Sequence, residues 1–88
     1  MKLAVLYRSN SEDERPVIEF GDDYQRRTGN KLTLYDLNTR DGSAVASLYD
    51  IVRYPAVLAM TDNGQFLQMW QGDLLPMMNE IMYYAQSQ

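Results

Sequence analysis

The chain has 88 residues, 45% of them apolar, and a formal net charge of −4 from 8 Lys plus Arg against 12 Asp plus Glu. That is material for one hydrophobic core rather than two, and scattered basic residues on an acidic chain argue against nucleic acid or an anionic bilayer as partner. With neither Cys nor His present, thiol nucleophiles, disulfides, imidazole acid–base catalysis and the thiolate and imidazole metal ligands drop out together.

No apolar run approaches the roughly 18 residues of a membrane span, and the stretch from Met1 to Arg8 is too short for the core of a signal peptide. A single cytoplasmic domain over residues 1–88 is therefore expected. Lys2 to Tyr7 is apolar on both alternating sets, Leu3/Val5/Tyr7 and Ala4/Leu6, which predicts a central strand covered on both faces. Ser11 and Glu14 then stand at capping-box spacing, and Glu12, Asp13 and Glu14 suit a helix N-terminus. Val17, Phe20, Gly21 and Tyr24 recur at helical spacing, with Gly29 placed to end the helix behind Arg26 and Arg27. Pro16 lies past the first turn if Ser11 is the cap, so a kink or a late start is expected.

Lys31 to Leu37 alternates and carries more polar residues, as an edge strand does. Asn38 to Ser43 reads as turn. Val45, Leu48, Tyr49 and Val52 define a short second helix, broken at Arg53-Tyr54-Pro55 because proline disfavours helical geometry in the residue before it. Ala56 to Met60 is a second two-faced apolar run, and Asn63-Gly64 is a hairpin signal leading into a half-polar strand, Gln65 to Trp70. Gly72 closes that hairpin, and Asp73 can cap a third helix from about Leu74 to Ala85, with Pro76 in its first turn.

The order is thus βαβαββα. A right-handed crossover makes the first two strands parallel. Placing the most apolar strands centrally predicts an α/β fold with a four-stranded mixed sheet in the order 2-1-3-4. Helices 1 and 3 share one face and helix 2 covers the other.

Four stretches in this frame resemble thioredoxin: Pro16 to Gln25, Leu34 to Asn38, Leu48 to Pro55, and Asn63-Gly64 with the later Gly72. The resemblance implies a thioredoxin-like fold with a cis Tyr54–Pro55 peptide facing the family's active site. The family's two cysteines would fall at or near Arg8 and Ser11, neither of which can form a thiolate, so dithiol exchange is excluded. A redox-inactive, non-catalytic member that needs no cofactor is the expectation.

In thioredoxin-like proteins the surface around that proline pairs with extended peptides through backbone hydrogen bonds, a mode that needs no cysteine. Carried over, it makes Arg8, Ser9, Asn10, Ser11, Arg53, Tyr54, Pro55, Gln71 and Gly72 the candidate partner-binding residues. Met78, Met82 and Tyr83 on the third helix form an adaptable surface that suits a protein partner or a homodimer. The alternative is a glutathione-type ligand at Tyr7, Ser9 and Ser11, against which the acidic triplet stands, since it already occupies the positive end of the helix. Asp22/Asp23 and Asp36/Asp41 lack the spacing of a calcium loop and read as solvated surface.

Overall fold

In the computed structural model, which describes residues 1–72 and 75–86 with the side chains of 85 and 86 excepted, the two-faced apolar segments lie side by side. They are β1 (Lys2–Tyr7) and β3 (Ala56–Met60), antiparallel neighbours at the centre of a four-stranded sheet. β2 (Thr33–Asp36) pairs parallel to β1 on one edge, and β4 (Phe66–Gln71) pairs antiparallel to β3 on the other, giving the order β2-β1-β3-β4. The remaining elements are α1 (Glu14–Thr28), α2 (Arg40–Leu48) and α3 (Met78–Gln86). Among the described residues no helix is long and apolar enough to cross a membrane.

The period-two geometry of β1 and β3 sends alternate side chains into two cores. Leu3, Val5, Val57 and Ala59 join Val17, Phe20 and Tyr24 of α1 and Met78 and Ile81 of α3. On the other face Ala4, Leu6, Ala56 and Leu58 meet Ala46 of α2 and Ile51. Burial on both faces is why these strands lack polar alternation; each fully buried Val, Leu or Ile contributes roughly 1.5–3 kcal/mol.

The late start expected from Pro16 is what α1 does. The helix begins at Glu14, and its first i to i−4 bond runs from the Val17 N–H to the Asp13 carbonyl. Pro16 therefore sits where backbone N–H groups have no intrahelical acceptor, and its missing donor is not felt. Ser11 is not the cap. Its hydroxyl donates to the Arg8 carbonyl at 2.6 Å and accepts from the Asp13 N–H at 3.2 Å. Glu14 reaches back to the Asn10 N–H at 2.9 Å, and of the three acids it alone lies in the first turn. At the other end Gly29 adopts φ 78° and donates to the Gln25 carbonyl, as its position suggested.

α2 departs from the expected stripe. It begins earlier, at Arg40, with the Thr39 hydroxyl accepting from the Gly42 N–H at 3.1 Å, and it ends at Leu48. Asp50, at φ 55°, takes the left-handed position of a Schellman motif. The Asp50 N–H donates to Ser47 and the Ile51 N–H to Ala46. The turn swings Ile51 into the core and leaves Leu48 and Val52, both assigned to the buried stripe, 74% and 79% exposed. Val45 and Tyr49 of the expected stripe do pack against this core, and the fully buried positions of α2 are Gly42 and Ala46.

The β3–β4 connection also differs in detail. Asn63 keeps a negative φ, so the tight two-residue turn is not formed; Gly64 (φ 90°) donates to the Thr61 carbonyl, and the Thr61 N–H donates to Gln65. Ala59 pairs with Gln68 but Met60 with Phe66, which leaves Leu67 as the extra residue of a β-bulge. α3 begins at Met78, later than expected, and Pro76 precedes it; the expected cap Asp73 and the start at Leu74 lie outside the described residues. Met78, expected on the helix surface, is a core residue because it and Ile81 share the face turned to the sheet.

Candidate functional site

The register runs Asp36 to Tyr7 across β2 and β1, and Leu6 to Ala56 to Gln71 across β1, β3 and β4. One end of the sheet therefore gathers the segment after β1, the segment after β2, the approach to β3 and the end of β4. Arg8 lies over the ring of Tyr54, with its guanidinium carbon 5.8 Å from the centroid, a cation–π contact. The Tyr54 hydroxyl donates to the Ile51 carbonyl at 2.8 Å, which holds the far end of the ring. The Tyr54–Pro55 peptide is cis.

Gln71 ties the approach to β3 onto β4: its amide oxygen accepts from the Val52 N–H at 3.1 Å and the Arg53 N–H at 3.2 Å. The Gly72 N–H donates to the Pro55 carbonyl. Gly72 has φ 127°, a backbone conformation that favours glycine, and the Arg53 guanidinium lies beside it, 3.1 Å from where a β-carbon would stand. Pro55 and Gly72 are buried beneath this layer, whereas Arg8, Asn10, Ser11 and Arg53 are exposed and Ser9, Tyr54 and Gln71 half-buried. Of the residues assigned to this surface, Pro55 and Gly72 thus shape it from below.

Two braces escaped the sequence reading. Asp36 accepts from the Ser9 N–H at 3.2 Å and from the Asn38 N–H at 3.0 Å, and the Asn38 amide donates to the Ser9 hydroxyl at 3.1 Å. Hydrogen bonds from Ser9, then from the Asn38 N–H, hold the Asp36 carboxyl below the usual carboxylate range. Asp-Leu-Asn at the end of a strand is a signal for an Asx turn, but nothing local tells that the turn also holds the Arg8–Ser11 segment. Met82 and Tyr83 lie on α3, and Tyr83 packs on the other face from Tyr54 through Tyr84 and Trp70.

One exposed guanidinium, that of Arg8, lies over the Tyr54 ring, another, that of Arg53, lies beside Gly72, and no thiol exists anywhere in the chain. Burial, then the carboxylates of Asp36 and Glu14, push the Tyr7 hydroxyl above its ordinary pKa, so it stays a neutral phenol. The Ser11 hydroxyl is committed to its own turn and that of Ser9 to the Asn38 amide. Among the described residues no three His, Cys, Asp or Glu side chains gather as a metal site requires, and Asp23 is occupied by Arg26 and Arg27. No model of a known protein family matches the chain, and no curated protein sequence matches it significantly.

Proposed function

We propose that this chain is a non-catalytic, thioredoxin-like module that binds another protein at the sheet end formed by Arg8 to Ser11, Arg53 to Pro55 and Gln71-Gly72. The observation that carries the reading is the convergence of these three segments, far apart in sequence, into one surface. Arg8 meets Tyr54, Gln71 meets the Val52 and Arg53 backbone, and Arg53 meets Gly72. An order of β2-β1-β3-β4 with parallel β1 and β2, and with α2 alone on its face, supports the thioredoxin-like part of the reading. Exposed Arg side chains and a half-buried Tyr on a braced backbone are the composition of a binding hot spot.

The glutathione-type alternative draws no support from this end of the sheet, where the serine hydroxyls are spent and Asp36 and Glu14 would face an anion. Helix-mediated dimerisation loses Met78 to the core. The test is affinity capture from the source cells with the wild-type chain, Arg8→Ala and Tyr54→Ala in parallel. Arg8 is exposed, so its substitution leaves the fold intact while removing one side of the contact. Partners recovered by the wild type should fall by about tenfold or more with either variant, the scale of a hot-spot truncation. Equal recovery of every partner by all three baits refutes the reading.

A further inference from the structure

β4 and α3 leave between them an open groove of about 400 Å³, lined by Gln68, Trp70, Asn79, Glu80, Tyr83 and Tyr84. It belongs to the face covered by α1 and α3, opposite to that of Tyr54. Tyr84 is the middle ring of three. Trp70 stands 5.5 Å from it with the planes at 80°, and Tyr83 stands 5.2 Å from it with the planes at 90°. Gln68 holds that middle ring by donating to the Tyr84 hydroxyl at 2.8 Å, and is itself anchored by accepting from the Met69 N–H at 2.9 Å. The aromatic wall is therefore set before any ligand arrives, which lowers the ordering cost of binding.

Of the six lining residues one is charged, and it is acidic. Glu80 lines the groove. Aromatic faces carry negative electrostatic potential and attract a cation placed over them. A neutral apolar guest would use the rings but strip water from the Glu80 carboxylate and the Asn79 amide without return. A bare ammonium is strongly hydrated and resists transfer onto rings. The guest that satisfies both rings and carboxylate is a cation with an apolar skin.

We propose that this groove binds an alkylated ammonium group, either a methylated lysine side chain or a free quaternary amine. Trp70 is the chain's sole tryptophan, so its emission reports on the groove directly. The experiment titrates the wild-type chain with choline and its uncharged isostere 3,3-dimethylbutan-1-ol, and with a short peptide bearing one trimethyllysine and the same peptide unmethylated. A saturable change with choline or with the trimethyllysine peptide, at least about threefold weaker for the uncharged or unmethylated twin, is expected from the size of cation–π attraction. Response to the peptide alone identifies a protein side chain as the source, and response to choline a free amine. Glu80 and Tyr83 are exposed, so Glu80→Gln and Tyr83→Ala should keep the fold and weaken binding by roughly two- to fivefold each. A response that stays linear through the millimolar range, equal saturation by the isostere, or unchanged affinity in both variants overturns the proposal.

Discussion

Substituting Gly42 by alanine tests how α2 is seated on the sheet. In a helix, alanine is intrinsically better than glycine by about 1 kcal/mol, so on propensity alone the variant should be more stable. The structure opposes this. A β-carbon on Gly42 would fall on the Asp36 carbonyl oxygen, 2.5 Å from its carbon and 3.1 Å from the Leu37 nitrogen. These are backbone atoms at the end of β2 and have no rotamer to change, so α2 must lift, loosening Ala46 and Ile51 beneath it. Overpacking of this kind costs about 1–3 kcal/mol, and each methylene equivalent returned to water adds about 0.8 kcal/mol. The net expectation is a loss of about 1–3 kcal/mol, which in a domain of this size lowers Tm by roughly 4–8 °C per kcal/mol. Gly21→Ala is the control. It lies inside α1 with the same propensity gain, but its β-carbon would meet only the Leu32 side chain, Cδ1 at 3.2 Å and Cγ at 3.6 Å, which is half-buried and can move. That variant should be neutral or gain up to about 1 kcal/mol. Urea unfolding of the two variants against wild type, followed by Trp70 emission and far-ultraviolet circular dichroism, measures both. Equal stabilisation in the two would refute the claim that α2 presses on the end of β2.

Leu48→Ser and Val52→Ser should each change stability by less than about 0.5 kcal/mol because both side chains face solvent, whereas Ile81→Ala, at 0% exposure, should cost about 2–5 kcal/mol; the same unfolding curves compare them. Asp36 has a folded pKa depressed by hydrogen bonds from Ser9 and Asn38. Its stabilisation is therefore present above the unfolded value of about 3.9 and is lost as pH falls through the lower folded value. Asp36→Asn should be less stable than wild type at neutral pH and flatter on the acid limb, and acid-unfolding curves of identical slope would contradict the assignment.

The strands and their order were legible from composition, since Leu3 to Leu6 and Ala56 to Ala59 are apolar on both sides and only a doubly covered position removes both from water. Gly29 was legible for the same local reason: a left-handed helix end favours glycine whatever lies opposite. Asp50 occupies an equivalent position in α2 without glycine's signature, and that substitution of one residue type displaced the expected stripe toward Leu48 and Val52.

What the amino-acid order determined by itself is what neighbours along the chain decide: which segments are apolar on two sides, where a helix must stop, and that no sulfur nucleophile exists. Tertiary structure decided that Gly42 rather than Leu48 meets the sheet, that Met78 turns inward while Tyr83 stays out, and that Asp36 and Gln71 brace segments distant in sequence. Those outcomes depend on the atoms an element meets across space, and a hydrogen bond between Ser9 and Asp36 exists only once β1 and β2 lie parallel with Tyr7 beside Asp36.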